Sequence, residues 1–140
     1  MTGGRHLTQW AAQFAVASEL CKRGYDVGFT MGHNTPLADL FAIAPDGRTT
    51  FLVDVKGQRT ANFWQIKPKV GRSDLFYILA YVPPGKPNRF FVMSHAEVAT
   101  LLDEYKHSGI KFDERFPGMN WTTPHRFENN WGKLPGGATP

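Results

Sequence analysis

Residues Leu75–Val82 read Leu-Phe-Tyr-Ile-Leu-Ala-Tyr-Val, an almost unbroken apolar run set between Arg72-Ser73-Asp74 and the turn Pro83-Pro84-Gly85. A strand with one wet face alternates apolar with polar residues, whereas a run without alternation is covered on both faces. The chain must therefore supply a layer on each side of a sheet, which points to an α/β fold. Its 140 residues, 41% of them hydrophobic, suffice for one such domain and one core.

The segments around that run have distinct periods. Upstream, Thr8 is placed to cap a helix whose residues Trp10, Phe14, Ala17 and Cys21 recur on one side, with Lys22 and Arg23 in the last turn and Gly24 as the stop. Gln13 falls at the edge of that predicted buried face, and Cys21 reads as a small buried hydrophobe. Strands are predicted at Tyr25–Thr30, Asp39–Ile43 and Thr49–Lys56, with a polar loop at Met31–Pro36 and a hairpin turn at Asp46-Gly47. In the third strand Phe51, Val53 and Val55 alternate with Leu52, Asp54 and Lys56, so the last two share a face.

The 17 residues Gly57–Ser73 form a crossover long enough for a parallel return, with a short helix expected over Ala61–Lys67 before Pro68 interrupts it. Arg89–Met93 is a further strand, and Ser94 with Glu97 is a capping-box signature for a helix through Val98, Leu101, Leu102 and Tyr105. Phe116, Trp121, Phe127 and Trp131 are large anchors, and Pro135–Pro140 reads as a loose tail after a single domain over 1–134. The predicted order is αβββ(α)ββα, a mixed α/β sheet with helices packed on it.

Several classes of function lose their support. The single cysteine excludes an internal disulfide framework and a Cys-rich zinc site, as expected in a reducing compartment. No apolar run approaches the roughly 20 residues of a membrane span, so a cytoplasmic protein without a membrane partner is expected. Neither a Gly-rich phosphate loop nor a Gly-x-Ser-x-Gly elbow occurs. Between Gly57 and Phe90, however, Arg59, Lys67, Lys69, Arg72, Lys86 and Arg89 face a single acid, Asp74, a local excess larger than the +4 of the whole chain. Such a segment attracts a polyanion, and DNA is the natural partner; the alternative is a solvated basic face.

Asp39 begins one strand, and the next places Asp54 and Lys56 two residues apart on one face. Two carboxylates suit Mg²⁺, an oxygen-seeking ion that retains waters, and a neighbouring lysine can stabilise charge developing on phosphate. A solvated ion pair is the competing reading of Asp54-x-Lys56. Against it, Asp54 lies between Val53 and Val55 in a buried strand, where an unpaired carboxylate is costly.

In order and spacing, the helix ending at Gly24-Tyr25, then Pro36-Leu37-Ala38-Asp39-Leu40, then Val53-Asp54-Val55-Lys56-Gly57 resemble the PD-(D/E)xK nucleases, which have the restriction-endonuclease-like fold. The resemblance spans about Leu7 to Leu102, and Trp131-Gly132-Lys133-Leu134 is similar to a tail of small members. It implies a metal-dependent DNA endonuclease in which Asp39 and Asp54 ligate Mg²⁺, with Mn²⁺ as substitute, and Lys56 is catalytic. Many members carry a glutamate on the first helix eleven residues before the glycine; here Gln13 stands there, an amide that orients rather than ligates.

Arg59, Asn62, Trp64, Lys67, Lys69 and Arg72 would line the DNA, with Trp64 stacking on a base or else packing in the core. His33, in the loop before Asp39, would touch a phosphate or sit at the surface. A homodimer would let so small a protein address both strands. Two other readings compete: a nucleic-acid-binding module that has lost catalysis, and a protein-interaction module that pairs through its aromatic C-terminal segment.

Overall fold

The computed structural model describes residues 4–30, 38–67, 69, 71–109 and 113–137. The chain runs α1 (Gly4–Lys22), β1 (Asp26–Phe29), β2 (Leu40–Ile43), β3 (Thr50–Gln58), β4 (Trp64–Gln65), β5 (Leu75–Tyr81), β6 (Arg89–Ser94), α2 (His95–Lys106) and β7 (Gly118–Met119), then two 3₁₀ turns, Thr123–Phe127 and Trp131–Lys133. Five strands form one mixed sheet in the order β1-β2-β3-β5-β6. Among the described residues its one parallel pair is β3 with β5; β1, β2 and β3 are successive antiparallel neighbours, as are β5 and β6. Among the described residues no helix is long and apolar enough to cross a membrane.

The uninterrupted apolar run becomes β5, buried from Leu75 to Ala80. Period two then sorts the sheet into two cores. Val53, Val55, Ile78, Ala80 and Val92 face α1, where they meet Ala12, Val16 and Leu20. On the opposite face Leu75, Tyr77, Leu79, Phe91 and Met93 pack under Val98, Leu101 and Leu102 of α2.

Two local signals are realised as read. The Ser94 hydroxyl accepts from the Glu97 amide at 3.1 Å while the Glu97 carboxylate accepts from the Ser94 amide at 2.9 Å. In the β2–β3 turn, the Asp46 carboxylate accepts from the amides of Arg48 and Thr49, each at 2.8 Å, and Gly47 takes the left-handed φ of 73° that favours glycine.

Three expectations are corrected. First, α1 already begins at Gly4, so Thr8 lies inside it and its hydroxyl donates back to the Gly4 carbonyl rather than capping. The helix is also rotated: Ala12, Val16, Ala17 and Leu20 are buried, whereas Trp10, Phe14 and Cys21 are exposed. Gly57 explains the choice, since a Cβ there would lie 2.5 Å from the Ala12 Cβ. The helix rides so close to β3 that only small residues fit beneath it. Trp10 and Phe14 instead stack on each other at 5.6 Å, and Phe14 meets Phe29 edge-on.

Second, residues 61–67 are not helical: Trp64-Gln65 pairs with Gly118-Met119 as a small separate ladder. The buried Trp64 indole stacks on Trp121 at 5.6 Å and donates to the Trp121 carbonyl, long-range packing that outweighs one turn of helix. Third, the described part of the expected loose tail, 135–137, lies against the domain, while 138–140 lie outside the described residues. A Cβ at Gly136 would lie 2.6 Å from Ala44, and Gly137 abuts the Tyr25 hydroxyl. Of the expected anchors, Trp131 is buried against Phe90, whereas Phe116 is 55% exposed.

Candidate functional site

β3 outruns its partner. β2 pairs as far as Leu40 opposite Val53, whereas β3 continues to Gln58. Asp39 directly precedes β2 and stands beside this overhang, its backbone departing from the register of the ladder. The Asp39 amide donates to the Val53 carbonyl at 3.0 Å, and its Oδ2 accepts from the Val55 amide at 2.8 Å. The Asp39 side chain thus satisfies a β3 donor that has no strand partner beside it.

Asp54 is the only buried charged residue among the described ones, 3% exposed. Its Oδ2 is enclosed and receives no hydrogen bond, although Lys56 Nζ and Lys69 Nζ lie 3.5 and 3.4 Å away as ion-pair partners. Those separations exceed the roughly 2.7–2.9 Å of a charge-assisted hydrogen bond. The Asp39 and Asp54 carboxyls are close enough to share a hydrogen bond, and the Asp39 pKa is raised to about 6. Burial is the main cause, followed by the Asp54 hydrogen bond; the Val55 amide opposes both, the Asp54 charge adds to the rise, and Lys56 opposes it. Two carboxyls thus crowd a partly desolvated notch, an arrangement that a proton or a cation relieves.

Three residues not singled out from the sequence complete the notch. Tyr77 lies opposite Asp54 on β5, and its hydroxyl is pushed up to about 12 by burial and by the Asp54 charge, against a hydrogen bond from the Lys69 backbone. His95 Nε2 is 3.0 Å from the Lys69 carbonyl, and its ring tilts against Tyr77 at 6.1 Å. Gln9 donates from Nε2 to the Val55 carbonyl at 2.9 Å. Gln9 is thus the α1 amide at the site. Gln13, one turn on, is partly buried, and its side chain makes no hydrogen bond among the described residues. Only the i, i+4 spacing of two glutamines on one helix face could have flagged Gln9.

The basic crossover is not one continuous surface. Arg59 is exposed and lines a cleft of about 490 Å³ with Arg5, Thr8, Gln9 and Gly57, beside the notch. Asn62 is exposed and caps its own turn, its Oδ1 accepting from the Phe63 amide at 2.8 Å. Trp64, 1% exposed, has no free face for a base, which corrects its assignment to DNA stacking. Lys67 lines a separate cleft with Leu102, Lys106 and Glu114 next to α2, and Lys69 turns inward to Asp54. Arg72 is held bidentately by Asp74, both contacts at 2.8 Å. His33 lies outside the described residues.

Among the described residues no three His, Cys, Asp or Glu side chains gather as a metal cluster, so Asp39 and Asp54 are a two-carboxylate set. No protein-family model matches the chain, and no curated protein or solved structure is significantly similar to it.

Proposed function

We propose that the chain is a metal-dependent endonuclease that hydrolyses phosphodiester bonds of DNA, a small member of the PD-(D/E)xK nucleases with their restriction-endonuclease-like fold. The observation that carries this reading is the meeting of Asp39 and Asp54 where β3 outruns β2, with an enclosed, hydrogen-bond-free oxygen on Asp54 and lysines beside it. The donor set fits a hard divalent cation: two carboxylates, one with an enclosed oxygen that receives no hydrogen bond and the other with its proton affinity raised. Asp39 and Asp54 would hold Mg²⁺ or Mn²⁺, which supplies Lewis-acid polarisation of a phosphate oxygen and a more acidic water.

The protein's own groups account for the remainder. The Val55 amide fixes the rotamer of Asp39, and Gln9 braces the Val55 carbonyl, so the notch is set before substrate arrives. Lys56, on the same strand face as Asp54, orients the attacking water and stabilises negative charge gathering on phosphorus-bound oxygens. Arg59 and Arg5, in the cleft next to Gln9, contact phosphates along the strand being cut.

A second reading, a DNA-binding module without turnover, is favoured by one observation: α1 brings an amide, Gln9, to the notch and no third carboxylate. A cleavage panel of linear, supercoiled, flapped and four-way DNA with Mg²⁺ or Mn²⁺ separates the two. Cutting that is lost in both Asp54→Asn and Lys56→Ala, with native circular dichroism, is the expected result. Salt-sensitive binding without turnover in either metal would establish the module, and no DNA affinity at low salt would remove both readings.

A further inference from the structure

Asp54 is attended by two lysines, and strand period accounts for only one of them. Lys56 shares its strand face; Lys69 arrives from the crossover with its Nζ 3.4 Å from Asp54 Oδ2 and its side chain 21% exposed, less than the 32% of Lys56. The Lys69 main chain is held from two directions. The Tyr77 hydroxyl hydrogen-bonds its backbone, and His95 Nε2 sits 3.0 Å from its carbonyl. His95 is itself the first residue of α2, placed by the Ser94–Glu97 capping box, and its ring leans on Tyr77.

A flexible lysine loses rotamer entropy when it is immobilised, and chance surface pairs seldom recover that loss. Here a buried tyrosine and a histidine at the start of α2 converge on the backbone of one lysine, and that lysine lies beside what is, among the described residues, the one enclosed carboxylate oxygen without a hydrogen bond. We infer that Lys69 is the built-in counter-ion of Asp54, neutralising it in the free protein and competing with any divalent cation for the same oxygen, and that Tyr77 and His95 are positioning residues for it. The inference rests on the metal-dependent reading above. Lys69 thereby sets the metal affinity of the notch.

Calorimetric titration of the full chain with Mn²⁺, without DNA, tests this. Lys69→Met keeps the length of the side chain and removes its charge, so Mn²⁺ should bind about tenfold tighter. Tyr77→Phe should shift affinity part of the way in the same direction, and Lys67→Met, in the cleft beside α2, should leave it unchanged. Equal or weaker Mn²⁺ binding by Lys69→Met overturns the inference. A double-mutant cycle of Lys69→Met with Asp54→Asn, read by urea unfolding without metal, supplies a second measure. It should show coupling of about tenfold in the unfolding constant, and additivity overturns the inference. If the wild-type chain binds no Mn²⁺, the nuclease reading fails, while the cycle still decides whether Lys69 is the partner of Asp54.

Discussion

Replacing Asp39 with asparagine should make the metal-free protein more stable at pH 7.5, not less. The Asp39 carboxyl has its pKa raised from 3.8 to about 6, chiefly by burial and by its hydrogen bond with Asp54. The folded state therefore holds a proton that the unfolded state has already released between pH 4 and 6. Stability contributed by this group is greatest below the unfolded value and falls as pH rises through the folded value. At 1.36 kcal/mol per pH unit the penalty at pH 7.5 is at most about 3 kcal/mol, and solvent screening of a partly exposed carboxyl reduces it to about 1–2 kcal/mol. Asp39→Asn mimics the protonated form, and its amide oxygen can still accept from the Val55 amide that now bonds Oδ2 at 2.8 Å.

Urea unfolding of both proteins at half-unit steps from pH 4 to 8, with EDTA, gives the difference directly. The variant should gain about 1–2 kcal/mol above pH 7 and nothing near pH 4. With 10 mM Mg²⁺ the order at pH 7.5 should narrow or reverse, because only the wild type retains both carboxylates and a ligand that binds the native state stabilises it. A pH-independent difference, or a variant that is less stable throughout, would refute the claim that this notch raises the proton affinity of Asp39.

Gly57→Ala should destabilise the fold by about 1–3 kcal/mol in urea unfolding, as overpacking does, because its Cβ would lie 2.5 Å from that of Ala12; adding Ala12→Gly should recover part of the loss, and no recovery would mean that the contact is not the cause. Ser94→Ala removes the acceptor that takes the Glu97 amide at 3.1 Å and should cost about 1 kcal/mol of thermal stability; an unchanged melting temperature would contradict the cap. DNA binding followed by anisotropy in Ca²⁺ should show a salt slope shallower by about 0.9 for Arg59→Ala. Arg72→Ala should change that slope little, since Arg72 is already pinned to Asp74 by two 2.8 Å contacts. Equal effects of the two variants would place the DNA on a different face.

Features governed by near neighbours in the chain were legible without coordinates. The buried centre of the sheet follows from the missing alternation in Leu75–Val82. Likewise, the shared face of Asp54 and Lys56 follows from period two, and the Ser94–Glu97 cap and the Asp46-Gly47 turn follow from hydrogen bonds spanning a few residues. The meeting of Asp39 with Asp54 stood one inference further away, since it requires the hairpin register that sets Leu40 opposite Val53.

Tertiary packing decided the rest. Trp10 and Phe14 made a hydrophobic stripe at helical spacing as convincing as Ala12, Val16 and Leu20, and the choice between them depended on how closely Gly57 lets the helix approach. Gln9 rather than Gln13 reaches Val55 for the same reason, because the rotation of α1 fixes which amide lies over β3. The stretch around Trp64 became a strand because its partner at Gly118-Met119 and the Trp121 ring lie far along the chain. Lys69, Tyr77 and His95 come from three separate elements, and no local period links them. Secondary structure is written in interactions a few residues long, whereas a helix's rotation and a site's second ring of contacts are settled by which surfaces fit when distant segments close.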